Sequence, residues 1–334
     1  MIHAAPLTGA LPAAAMVAAA RDALVGRQRD IEVVAAALAS GRSVLLEGPP
    51  GTGKTTLLRA LAAGAGVGLV LVEGNAELSP ARLIGHHDPS RVLSEGYRSD
   101  VFEPGPLLEA MTTGSVFYVE ELNRVPEETL NVLLGVLSER RTQVPRFGEV
   151  VANPTFRLVA AMNPYDAVGT GRITPALYDR TCRVGIGYQS EAEERDIVAR
   201  MAPGPAPLVR RAVRAVRLSR DHPDLRIGSS VRGAIDVVAV AGELAALRHV
   251  SPPPPGQPAD PRWAATEIDA AVTALSGRVT VREGSARTPE SIIEEIWTRA
   301  ADTPDDERAG PPESEGKAPG PAPLPADRTA PSRR

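Results

Sequence analysis

SVLLEGPPGTGKTTLLRALAA, Ser43 to Ala63, joins three kinds of sequence without a break: an aliphatic run (SVLLE, Ser43 to Glu47), a glycine-rich octad (GPPGTGKT, Gly48 to Thr55) and a helix-forming stretch (KTTLLRALAA, Lys54 to Ala63). Strand, glycine-rich loop and helix in that order are the context in which such an octad cradles phosphate. Gly48, Gly51 and Gly53 let the backbone curl around a phosphate chain, so that amide N–H groups and the helix N-terminus face the anion. Lys54 is then placed to reach the β- and γ-phosphates and the Thr55 hydroxyl to ligate Mg²⁺. Pro49, Pro50, Thr52 and Thr56 complete the expected nucleotide-binding stretch. Only Lys54 and Lys317 are lysines among 37 Lys plus Arg. A compact ammonium is kept where a planar guanidinium fork would not fit the cradle.

Outward from this stretch, short aliphatic runs alternate with helix-period segments, the pattern of an α/β domain with a mainly parallel sheet. The spacing predicts five strands: Ser43 to Glu47, Leu69 to Glu73, Ser115 to Val119, Phe156 to Ala161 and Cys182 to Ile186. Between the third and fourth, PEETLNVLLGVLSER sets Leu130, Leu133, Leu134 and Leu137 on one helical face, with Pro126 suited to the first turn. From Ser190 the strands are expected to stop. SEAEERDIVARM opens with a capping-box pair, Ser190 and Glu193, and helical stretches follow near 207–220, 229–248, 263–275 and 289–300. The domain reading is therefore an N-terminal extension over 1–20, a nucleotide-binding α/β domain over 21–189, a smaller all-helical lid domain over 190–302 and a Pro-rich tail over 303–334.

Composition bounds the rest. The chain has 334 residues, enough for about two domains at roughly 150 each. Its tail, rich in Pro, Gly and charge, cannot bury enough surface to fold and is expected to be disordered. The proline run SPPPPGQPAD, Ser251 to Asp260, reads as a surface spacer. Aromatics are only 3% and the formal charge is −4, which disfavours stacking-based nucleic-acid binding and gives no overall cationic field. A single cysteine, Cys182, excludes an intramolecular disulfide and fits a reducing, cytoplasmic setting. The Ala-rich start lacks a basic n-region and is interrupted by Pro6 and Pro12, and no apolar run reaches the ~18 residues of a membrane span. No membrane insertion is expected.

A phosphate loop needs an acid for the metal and a base for water at the end of another buried strand. SVFYV runs into Glu120 and Glu121. Glu120 is assigned to the metal and Glu121 to the base, although in isolation the same pair would read equally well as a solvated loop start. His86, His87 and Asp88 are consecutive and do not converge on one ion unaided, so no metal is expected there.

Six stretches in order resemble the MoxR family of AAA+ ATPases over roughly Leu24 to Ala300: VGRQRDIEVV (Val25 to Val34), GPPGTGKT, FEPGPLLEAMTTGSVFYVEELNR (Phe102 to Arg124), AAMNP (Ala160 to Pro164), ITPALYDR (ending at Arg180) and GSSVRGAIDV (Gly228 to Val237). The resemblance implies a P-loop AAA+ fold, ATP and Mg²⁺ as cofactors, and ATP hydrolysis in a homo-oligomeric ring, a hexamer in the family's pattern. It also implies remodelling of a client protein and a von Willebrand factor type A partner. By the same resemblance Val25 and Gly26 cover the adenine, Asn163 is the first sensor, Arg180 is the finger entering a neighbour's site and Arg232 is the second sensor. Taken alone, Val25 and Gly26 would open an ordinary amphipathic helix, Asn163 would close a turn, Arg180 would cap a helix and Arg232 would be a surface side chain. Gly85 to Gly105 is long for a connection and matches the family's pore-face insert, and TQVPRFGEVVANP, Thr142 to Pro154, reads as a hairpin with Phe147 at its tip, as a second pore element or a plain surface hairpin. Two residues depart from the family pattern: Glu120 where Asp is usual, and Thr181 where an aromatic is usual. A slowly hydrolysing ATP-binding scaffold and a DNA-acting ring motor are the rival readings, and the acidic balance weighs against the second.

Overall fold

The computed structural model describes residues 9–164, 174–254 and 260–302. The first part of the chain runs α1 (Ala13–Ala23), α2 (Gln28–Ala39), β1 (Val44–Glu47), α3 (Lys54–Ala65), β2 (Leu69–Glu73), α4 (Pro80–Ile84), β3 (Gly85–His87), α5 (Pro89–Glu95), β4 (Phe102–Pro104), α6 (Pro106–Thr113), β5 (Val116–Glu120), α7 (Glu127–Glu139), β6 (Arg141–Val144), β7 (Gly148–Val151), β8 (Arg157–Met162), α8 (Pro175–Arg180) and β9 (Cys182–Gly185). The second part runs α9 (Glu191–Met201), α10 (Ala206–Arg220), β10 (Leu225–Ile227), α11 (Val231–Arg248), α12 (Pro261–Leu275), β11 (Thr280–Val281) and α13 (Pro289–Asp302).

Five strands form one parallel sheet in the order β2-β5-β8-β1-β9. The five runs expected from the sequence are these strands, with ends shifted by a residue. β1 and β8 are buried along their whole length, as continuous aliphatic runs in the middle of a parallel sheet must be. Alternate residues serve opposite layers. Leu45, Phe117, Val119, Leu158 and Ala160 face the core built with α6 and α7 through Leu107, Met111, Leu130 and Leu133. Leu46, Tyr118, Val159 and Ala161 face the core built with α1, α2 and α3. Pro126 stands at the N-cap of α7, one position before the first turn expected for it.

Three findings correct or extend the sequence reading. The 1–20 extension ends inside α1, whose Met16 and Ala20 are fully buried against α3. At Gly64 of α3 an added Cβ would sit 2.7 Å from the Ala15 carbonyl oxygen and 2.8 Å from Met16 Cα, so the two helices touch backbone to backbone. The second part is not wholly helical, because β10 and β11 form a small antiparallel ribbon, Leu225 opposite Val281. The capping box at Ser190 and Glu193 is formed as expected, and the helices close around Trp263, Ile292, Ile296 and Trp297. The expected disordered tail and the middle of the proline run lie outside the described residues.

Candidate nucleotide-binding site

In an open parallel sheet, ligands sit beyond the carboxyl ends of the strands where the strand order reverses. β1 delivers Gly48 there, β5 delivers Glu120 and β8 delivers Asn163. The Gly48 N–H donates to the Met162 carbonyl at 3.1 Å, which fixes the start of the loop beside the end of β8. Gly51 (φ +74°) and Gly53 (φ +81°) take the left-handed conformation that a curled phosphate loop demands.

Lys54 is 8% exposed and folds back over this loop. Its Nζ donates to the carbonyls of Gly48 at 3.0 Å and Pro49 at 2.8 Å. Burial pushes the ammonium down to about 8, with the like charges of Arg232 and Arg27 adding to that and Glu120 opposing it. The Thr55 hydroxyl donates to Glu120 Oε1 at 3.1 Å, which joins the two residues expected at the metal. Tyr118 lies under them, two residues before Glu120 on the same face of β5. Its hydroxyl is buried next to the Thr55 hydroxyl and the Glu120 carboxylate. Burial raises the phenol above its ordinary range, and neighbouring Glu120 raises it further. Two hydroxyls and a carboxylate gathered here are oxygen donors of the kind Mg²⁺ and its water shell accept, so the residues present fit that ion. Among the described residues no group of three or more His, Cys, Asp or Glu could hold a metal. His86 pairs with Glu103 at 3.8 Å, His87 packs edge-on against Tyr97 and Phe102, and Asp88 caps α5.

Glu121 stands in the left-handed conformation (φ +52°), a strained backbone for a glutamate, with its carboxylate 3.1 Å from Arg124. Asn123, buried beside it, reaches towards the Asn163 carbonyl at 3.5 Å. Asn163 is half-buried just past β8. Val25 accepts a hydrogen bond on its carbonyl from Gln189 Nε2 at 2.8 Å, and Gly26 (φ +67°) packs so closely on Glu193 that an added Cβ would overlap its carboxylate. Leu24 in turn borders Gly53, so this stretch lies between the phosphate loop and the first lid helix. Arg232 is the second residue of α11, and its Cδ is 3.9 Å from where a Cβ on Gly51 would stand, with Ser230 closer still. Arg180 is set apart from these groups, its Nε donating to Ser138 on α7 at 2.6 Å and its Nη1 to the Ala176 carbonyl at 2.9 Å.

The structure therefore gathers Val25, Gly26, the 48–56 loop, Glu120, Glu121, Asn163 and Arg232 at one end of the sheet and leaves Arg180 outside. The sequence reading missed four neighbours of the site. Arg27, also in the left-handed conformation, donates to the Gly187 carbonyl at 2.8 Å and bears on Lys54. Tyr118, Ser230 and Glu47 are the others. Only Arg27 had a signal, its place in VGRQRD.

The expected insert forms β3, α5 and β4, and the expected hairpin is β6 and β7. Phe147 packs on Phe102 with ring centroids 4.8 Å apart, and Arg146 stacks over Tyr97 at 3.7 Å. Insert and hairpin thus meet through one aromatic cluster.

Residues 43–181 match the AAA domain family described as the dynein-related subfamily. The chain is 35% identical over 178 residues to Protein MoxR of Methylorubrum extorquens, covering 53% of this chain and 50% of that protein. It is 33% identical over 159 residues to an uncharacterized protein of Staphylococcus haemolyticus, covering 47% of this chain and 60% of that one. The alignments thus span half to three-fifths of these relatives' own length. Among solved structures, the Thermotoga maritima Holliday junction branch migration motor RuvB superposes with a TM-score of 0.50 at 14% identity, covering 77% of this chain and 73% of that one. That likeness is one of fold.

Proposed function

This chain belongs to the MoxR-like AAA+ proteins, and from that premise we propose that it hydrolyses ATP with Mg²⁺ in a homo-oligomeric ring and couples the cycle to remodelling a client protein. The observation that carries the reading is the 3.1 Å contact between Thr55 and Glu120, which joins phosphate loop and acid pair across 65 residues of sequence. Lys54 neutralises the β- and γ-phosphates, and the loop amides orient them. Thr55 and Glu120 would hold magnesium, which when bound disperses charge on the phosphates. Glu121 takes the proton from the attacking water and Asn163 holds that water in line. Arg232 brings the lid onto the nucleotide. Arg180, pointing away from its own site, serves the neighbouring subunit, where a finger in trans is worth about 10³–10⁵ in rate. A von Willebrand factor type A protein as partner, six subunits and a cytoplasmic setting complete the proposal. Among the described residues no helix is long and apolar enough to cross a membrane.

The test compares two variants. Glu121→Gln keeps the shape of the site but cannot accept a proton, so it should bind ATP as wild type does and lose turnover by at least about 100-fold. Lys54→Ala should lose ATP binding itself. Wild-type turnover in Glu121→Gln, or tight ATP binding in Lys54→Ala, would remove the assignment.

A further inference from the structure

The segment on either side of Arg180 is tied to one buried carboxylate. Glu47, the last residue of β1 and the one directly before Gly48, is 5% exposed. The Tyr178 hydroxyl donates to its Oε1 at 3.0 Å, and Arg183 Nε donates to its Oε2 at 2.6 Å. Tyr178 precedes Arg180 by two residues on α8, and Arg183 follows it by three on β9. α8 has only six residues, too few to be stable alone, and Leu177 is its one buried side chain. What holds this segment at a defined height is therefore Leu177 beneath it, Glu47 on one side and, through Arg180 itself, Ser138 of α7 on the other. Glu47 is itself fixed, paired with Met162 on β8 and Gly185 on β9, its carbonyl accepting the Ile186 N–H at 2.7 Å. A desolvated carboxylate that loses a donor is costly, which makes the tie a definite one.

The other side of Glu47 is the phosphate loop. Lys54 Nζ donates to the Gly48 and Pro49 carbonyls, the two residues next along the chain. A phosphate chain in the loop competes for the same three N–H donors, so filling the loop changes the partners of the residues adjoining Glu47. One carboxylate thus stands between a subunit's own phosphate loop and the arginine that subunit holds outward.

We propose that Glu47, through Tyr178, is a positioning residue for Arg180 and links the state of a subunit's own phosphate loop to the finger it offers its neighbour. The proposal rests on the reading of Arg180 as a finger acting in trans.

The experiment measures ATP affinity, assembly and turnover of Tyr178→Phe, which removes one hydroxyl, and of Glu47→Gln, which keeps an acceptor for Tyr178 and removes the charge facing Arg183. Both should bind ATP and assemble within twofold of wild type, while kcat of the assembled protein falls about tenfold for Tyr178→Phe and by a smaller factor for Glu47→Gln. The decisive readout is mixing, with subunit exchange verified by labelled subunits. Tyr178→Phe mixed with Glu121→Gln should exceed the sum of its components, because each supplies what the other lacks. Tyr178→Phe mixed with Arg180→Ala should not. Wild-type turnover in both variants while Arg180→Ala is inactive overturns the proposal and leaves the finger reading standing. Losses accompanied by weaker ATP binding or lost assembly overturn it too, reducing Glu47 to a brace between strands. Full activity of Arg180→Ala overturns the finger reading, and the proposal with it.

Discussion

Lys54 illustrates what a single residue carries and how it can be measured. Its ammonium is held at about 8 by burial in a loop of carbonyls, and a bound triphosphate would raise that value by supplying negative charge. The sign follows. Binding favours the protonated form, so affinity is full below pH 8 and falls as pH rises from 8 towards the raised value of the complex, by up to about tenfold per unit. Titrating ATP affinity between pH 7 and 9.5 checks this, and a flat profile in wild type would contradict it. The placement of Lys54 and Thr55 in the loop was legible because it is written in spacing from three glycines. Tyr118, Ser230 and Glu47 were not. Tyr118 sits in an apolar strand where a tyrosine reads as core, and Ser230 and Glu47 gain their meaning from neighbours 179 and 131 residues away, Gly51 and Tyr178.

At the scale of elements, α1 shows how an Ala-rich start becomes structure. Small side chains at Ala15 and Ala19 allow close approach to Gly64, and Met16 fills the space beneath. Met16→Ala should therefore cost about 2–5 kcal/mol, read as a lower denaturant midpoint at unchanged slope. A loss below about 1 kcal/mol would mean that α1 is dispensable to the core. The five sheet strands and the long lid helices were legible because their apolar periods run for several residues. β11 was not, since two residues leave no period, and neither was the packing of α1, because an alanine-rich helix has apolar residues on every side and shows no preferred face.

For the whole molecule, the proposed role of Arg180 as a finger in trans, with its place apart from the gathered residues, would make activity a property of the assembly. Specific activity should rise with protein concentration as subunits associate, while ATP affinity measured on dilute protein stays constant. Turnover per subunit that is flat from dilute to concentrated protein would show each chain to be complete by itself. The composition of the chain adds a chemical property to this picture. Lys54 is enclosed in its loop, Lys317 is the chain's other lysine, and the remaining cationic side chains are arginines apart from five histidines. Acylating reagents and enzymes that conjugate at lysine ε-amines thus find almost nothing to modify on this protein. Where such a label does enter at Lys54, its yield becomes a direct gauge of how often the phosphate loop stands open.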